Sequence, residues 1–126
     1  MIHLDTNLLI RTTQADKRVV RACEVWLAAG EALAASSVSW FEFTCGPLTV
    51  EDVRLVERIV SGRIVPFTMP QAERAAALFN AAGRKRPSRW DCMIAAAAMA
   101  DGARLATLNP RDFGRFADAG LQLATI

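Results

Sequence analysis

Ile2-His3-Leu4-Asp5-Thr6-Asn7 reads as a short strand cut off by a polar, turn-like segment, and it sets the pattern for the rest of the chain. Beyond it, Val19, Val20, Cys23, Trp26 and Leu27 recur on one helical face that ends near Gly30. Ala32 to Ala35 suits a second strand, and a short helix starts near Ser39 and is stopped by Gly46-Pro47. Val53, Val56, Ile59 and Val60 form the inward face of a helix from about Val50 to Val60. Arg63 to Phe67 reads as a third strand; Pro70 suits the first turn of a helix running to about Ala82, which Gly83 ends. The helix opened at Trp90 is apolar nearly all round, which predicts burial. Arg104 to Leu108 forms a fourth strand, Asn109-Pro110 starts a short helix, and Leu121 to Ile126 is a candidate fifth strand. Strands alternating with helices imply an α/β fold, with a mainly parallel sheet covered on both faces. In that class sites form beyond the carboxyl ends of strands, where Asp5 and Asn109 fall.

The 126 residues are read as a single domain, large enough to bury most of what the unfolded chain exposes. A net charge of +2 hides a lopsided make-up of thirteen Arg against two Lys. Arg presents a planar fork of donors that suits phosphate and carboxylate partners, although a GC-rich genome gives the same bias. Cys23, Cys45 and Cys92 have no CxxC spacing and read as reduced core thiols of a cytoplasmic protein. The longest apolar stretch, Cys92 to Ala100, is too short to span a bilayer, so no membrane association is expected.

The chemistry lies in lone acids near element ends: Asp5, Glu42, Asp91 and Asp112, with Asn109 beside the last. Carboxylates gathered without a lysine or histidine call for a divalent cation, and metal held by oxygen points to phosphate chemistry. A purely structural reading competes. Ser39-x-x-Glu42, Ser88-x-x-Asp91 and Asn109-Pro110-x-Asp112 all match the helix-capping pattern, as does Thr49-x-x-Asp52, to which no chemistry is assigned. Capping and ligation are compatible, because an acid at a helix N-terminus stays ionised as a metal ligand must. Asp5 stands apart, since it ends a strand and has no helix of its own to cap unless Thr6 or Asn7 shares that role.

Gly83-Arg84-Lys85-Arg86-Pro87-Ser88-Arg89 is the densest charge run, and it leads directly to Asp91. It is either a solvated loop or a grip on a phosphate backbone. His3 alternates with Ile2 and Leu4 and reads as a packed side chain; Trp26, Trp40 and Trp90 read as core or interface anchors rather than base-stacking platforms. The stripe at Met93, Ala96, Ala97 and Ala100 reads as close-packed core.

These residues, in this order and over essentially the whole length, resemble the PIN-domain ribonucleases, and among them the VapC-type toxins of type II toxin–antitoxin pairs. The resemblance rests on Ile2-His3-Leu4-Asp5-Thr6-Asn7, Ser39-x-x-Glu42, Asp91-x-x-Ile94-Ala95-Ala96, and Leu105 through Thr107-Leu108-Asn109-Pro110-Arg111-Asp112-Phe113. It implies a three-layer α/β/α sandwich with a central sheet of about four to five strands. It also implies a Mg²⁺- or Mn²⁺-dependent endoribonuclease with Asp5, Glu42 and Asp91 as the acidic core, leaving 3′-hydroxyl and 5′-phosphate ends. Thr6 would orient Asp5 or touch phosphate. The family's fourth acid falls at either of two positions; here they hold Asn109, a weak metal ligand that adds no charge, and Asp112, the better candidate. Arg84, Lys85, Arg86 and Arg89 would contact the RNA. The implied partners are RNA, a cognate antitoxin and a second copy in a homodimer, within a larger toxin–antitoxin complex.

Two other readings compete. One is a catalytically impaired PIN-fold binding module, suggested by Asn109. The other is an aspartate-based phosphatase with Asp5 as nucleophile, for which position 7 supplies Asn where a second acid is wanted.

Overall fold

The computed structural model describes residues 1–126. Five strands, β1 (Ile2–Leu4), β2 (Leu33–Ser36), β3 (Ile64–Val65), β4 (Arg104–Ala106) and β5 (Leu123–Ala124), form one sheet in the order β3-β2-β1-β4-β5. Every pairing is parallel, with Ile2 against Leu33 on one side of β1 and against Arg104 on the other. Seven α-helices connect the strands: α1 (Thr6–Thr13), α2 (Lys17–Ala28), α3 (Ser37–Thr44), α4 (Val50–Ile59), α5 (Met69–Ala81), α6 (Arg89–Ala100) and α7 (Pro110–Gly114). The result is the expected α/β/α sandwich.

Alternation along the strands sorts side chains onto two core faces. Ile2, Leu4, Leu33 and Ala35 face α1, α2 and α4, where they meet Leu8, Leu9, Trp26 and Val56. Leu105 faces the other layer, with Leu78, Ile94, Phe113 and Phe116 from α5, α6 and the segment around α7. In α6, residues Ala95 through Ala98 are fully buried, so this helix sits between the sheet and α5 with no room for larger side chains. Adding methylenes to such a packed position typically costs about 1–3 kcal/mol. His3 is packed away as expected; its Nε2 lies 2.7 Å from Asp101 Oδ2, while Nδ1 has no partner. Burial lowers its pKa against the opposing pull of Asp101.

The strands are shorter than their apolar runs suggest, because Phe67, Leu108 and Leu121 pack on the core from loops. Other expectations change more. Thr6 and Asn7 are no turn but the first residues of α1, a helix that the apolar pattern does not announce, and Asp5 is its N-cap. Leu27 and Cys45 are exposed; only Cys23 and Cys92 are core thiols. Trp26 is buried and Trp40 half-buried, but Trp90 is exposed. Gly83 does follow the end of α5 with φ +88°, the left-handed conformation that glycine adopts without strain. No helix is long and apolar enough to cross a membrane.

Candidate functional site

Strand order makes the site. The chain moves from β1 outward through β2 to β3, then returns to the other side of β1 for β4 and β5. The sense of winding therefore reverses between β1 and β4, and the loops leaving their carboxyl ends diverge to open a crevice. Asp5 leaves β1 there, and Thr107 leaves β4. Asp5 N–H donates to Ala106 O at 3.0 Å, which holds the two strand ends in register.

Asp5 is buried, and both its oxygens are held: Oδ1 accepts from Thr6 N at 2.7 Å and Oδ2 from Thr107 Oγ1 at 2.8 Å. Burial pushes its pKa up to about 6, against the hydrogen bonds from Thr107 and Thr6; the charges of Asp91 and Glu42 push it further in the same direction. Thr6 is the hinge of the arrangement. Its backbone binds Asp5 while its Oγ1 donates to Glu42 Oε1 at 2.9 Å, so α1 and α3 are tied together at the acids. With its hydroxyl proton committed to Glu42, Thr6 acts as an orienting group.

Asp91, half-buried in the first turn of α6, accepts from Arg115 Nη2 at 3.1 Å. Desolvation raises its pKa, Arg115 opposes that, and the charges of Asp112 and Glu42 add to the rise. Asp91, Asp112, Lys85, Ser88, Pro87 and Arg115 line a cleft of about 450 Å³. Asn109 does not line it; its backbone N–H donates to Thr107 Oγ1 at 3.0 Å, and its side chain caps nothing. Of the four basic side chains in that run, Lys85 alone lines the cleft. Arg84 turns back to Asn80 and the Phe79 ring, Arg86 is exposed, and Arg89 borders a separate apolar pocket between α5 and α6.

Most of the capping patterns do not form caps. Thr49-Asp52 is a reciprocal capping box, and so is Thr68-Gln71, whose partner is an amide rather than an acid. At α3 the cap is Ser36, not Ser39, so Glu42 sits beyond the first turn and is free to bond Thr6. Ser88 and Asn109 make no side-chain cap. Ser88 Oγ instead donates to Lys85 O at 2.6 Å. Among the four candidate site acids, Asp5, the one assigned no helix, is the one that serves as an N-cap. The helix dipole of α1 thus offsets part of the cost of its burial.

Two residues given no role from the sequence also enter the site. Thr107, quoted in the last motif segment but assigned nothing there, bridges Asp5 and Asn109. Arg115 pairs with Asp91; its only signal is being three residues beyond Asp112, near the end of a short helix.

The donor set fits a hard divalent cation in chemistry: every group is a carboxylate oxygen, and mutual repulsion helps raise Asp5 and Asp91 above the usual carboxylate range. The acids are not drawn into a cage, however, since no three His, Cys, Asp or Glu side chains lie close enough to enclose an ion. Arg115 supplies the positive charge at Asp91 instead.

A family model described as PIN domain matches residues 2–119. Among solved structures, one of FitAcB from Neisseria gonorrhoeae is similar at a TM-score of 0.74 and 25% identity, covering 99% of this chain and 97% of that one. A toxin-antitoxin complex from Klebsiella pneumoniae is similar at a TM-score of 0.72 and 27% identity, covering 90% of each chain. DNA-bound VapBC from Salmonella typhimurium shares the fold at a TM-score of 0.76 and 22% identity, covering 98% and 96%. No functionally curated protein matches.

Proposed function

The chain belongs to the PIN domain family, and we propose that it is a VapC-like toxin, a Mg²⁺- or Mn²⁺-dependent endoribonuclease silenced by a cognate antitoxin. The observation that carries this reading is the set of acids at the β1/β4 crevice, with Asp5 buried and raised to about 6 partly by the charges of Asp91 and Glu42. Burial and mutual repulsion of that kind cost stability, and a bound cation would relieve the repulsion. Structural likeness to a toxin-antitoxin complex supports a toxin role and a protein inhibitor; a cytoplasmic homodimer within a larger complex is part of the same proposal.

Asp5, Asp91 and Glu42 would hold the metal once drawn closer together than they stand here, with Asp112 at the margin and Asn109, which does not line the cleft, contributing least. A bound metal would supply polarisation of a phosphodiester oxygen and a lowered water pKa; hydrolysis would break the bond between phosphorus and the 3′-oxygen, which would leave as a hydroxyl after taking up a proton from water. The protein's own part is preorganisation. Thr6 and Thr107 fix both oxygens of Asp5, and Thr6 fixes Glu42. Lys85 and Arg115 face the cleft, where they would balance an incoming phosphate; Arg115 must then loosen its hold on Asp91.

The test is expression of the chain alone, with purified protein incubated in Mn²⁺ with RNA and with a chromogenic phosphomonoester. Growth arrest and RNA cleavage that Asp91→Ala abolishes are expected. A harmless wild type that leaves RNA intact would establish the impaired binding module, and hydrolysis of the monoester alone would establish a phosphatase.

The basic loop gives a second expectation. Arg84, Lys85 and Arg86 all changed to Ala weaken RNA binding and flatten its dependence on salt. The log–log slope falls by roughly 0.7 for each phosphate of single-stranded RNA that the protein no longer neutralises. An unchanged slope returns the segment to a solvated loop.

A further inference from the structure

Phe41 and Trp90 are 54% and 43% exposed, and their rings stack on each other with centroids 5.7 Å apart and planes 21° apart. They come from different helices, α3 and α6, that pack together. One wet aromatic is commonplace on a protein surface. Two that reach solvent at the same place and lie nearly parallel against each other form a built surface. Phe43, two residues along α3, is fully buried, so the helix has a core face and Phe41 lies off it.

Position in sequence gives the pair its meaning. Phe41 immediately precedes Glu42, and Trp90 immediately precedes Asp91. Successive residues on an α-helix are turned by about 100°, so on both helices the acid lies one step round from the aromatic. Beside Asp91 is the cleft lined by Lys85 and Arg115. Exposed flat rings one helical step from acids, one of which lines a cleft with cations, match a strand carrying one base and one phosphate per unit. A duplex hides its base faces, whereas an unpaired base offers a π-face to continue the stack.

Resting on the endoribonuclease reading above, we infer that Phe41 and Trp90 form a stacking shelf for an unpaired RNA base next to the scissile phosphate. The shelf selects single-stranded or looped RNA and sets which phosphate reaches the acids. It does so without reading sequence, because every base has a face to stack.

The experiment titrates the full chain with a short unstructured RNA of mixed sequence, in EDTA to prevent cleavage, and follows binding by a labelled RNA and by the emission of the exposed Trp90. Phe41→Ala and Trp90→Ala are each expected to weaken binding about tenfold, Trp90→Phe only about twofold, with duplex RNA of the same length affected by neither. An RNA of the same length with its bases removed binds the wild type more weakly and loses most of the difference between wild type and Trp90→Ala. Both side chains are exposed, so the core is untouched, and thermal melts of the variants check this directly. If the Ala variants bind and cut single-stranded RNA like the wild type, the shelf is overturned while the nuclease stands. If they lose only the antitoxin, the pair is a protein-binding surface and the inference fails. If the wild type neither binds nor cuts RNA, the endoribonuclease reading falls and takes the shelf with it.

Discussion

Asp5→Asn is expected to melt well above the wild type near neutral pH while losing about three orders of magnitude in RNA cleavage. The stability arm follows from linkage. The native pKa of Asp5 lies at about 6 against an ordinary value of 3.8. Between those values the native state holds a proton that the unfolded chain lacks, so stability falls as pH rises through the window. Above pH 6 the full penalty is present, on the order of 3 kcal/mol, because each pH unit between the two values is worth about 1.4 kcal/mol. Asn carries no charge, and its carbonyl can still accept from Thr6 N while its amide donates to Thr107, whose hydroxyl turns to accept. The gain should approach about 10 °C near neutral pH, by roughly 3–4 °C per kcal/mol at this size, and disappear toward about pH 4. The activity arm follows from loss of a metal ligand, worth several kcal/mol in the transition state. Thermal melts across pH in EDTA, with cleavage assayed in Mn²⁺, test both. An Asn variant no more stable at neutral pH than the wild type would show that Asp5 carries no such penalty. Retained cleavage would remove it from the catalytic set.

The trade in that prediction explains what could be read from the sequence and what could not. The parallel sheet was legible because the inner strands β1 and β2 are buried on both faces, and each strand is a short, mostly apolar run bounded by helices. The burial of α6 was legible because alanine and other apolar side chains occupy nearly every position. α1 was hidden because Thr6-Asn7 are weak helix formers and Asp5 looks like the end of a strand. Only the packing of Leu8 and Leu9 onto Trp26 and Val56 decides for helix there. Of the site, the acids could be named because each stands alone near an element end. Their holders could not. Thr107 and Arg115 act across 102 and 24 residues of sequence, and no local pattern encodes such a pairing. The capping patterns misled for the same reason. A Ser or Asn three residues before an acid is a local match, but at Glu42 the hydroxyl of Thr6, 36 residues away, has the better geometry.

Thr107→Val should move the acidic limb of the cleavage–pH profile upward by about one to two pH units and lower activity near neutral pH by about two- to tenfold. Valine matches threonine in shape, so the β4 terminus keeps its packing, but the hydroxyl proton at 2.8 Å from Asp5 Oδ2 is gone. That hydrogen bond is the largest influence holding the Asp5 pKa down against burial. A hydrogen bond to a charged group contributes about 1.5–3 kcal/mol, enough to move the limb by that much. Metal ligation needs the deprotonated acid, so proton competition rises and apparent Mn²⁺ affinity near neutral pH falls by the same factor, recovering as pH increases. The Asn109 N–H loses its acceptor too, which adds a stability cost of about 1–3 kcal/mol that is independent of metal. Thr107→Ser separates the two effects. It keeps the hydroxyl, so its pH profile should match the wild type even where the missing methyl lowers the melting temperature. A Val variant with an unmoved acidic limb would mean that Asp5 titration does not govern the reaction. A Ser variant displaced as far as Val would mean that packing, not the hydroxyl, is what Thr107 provides.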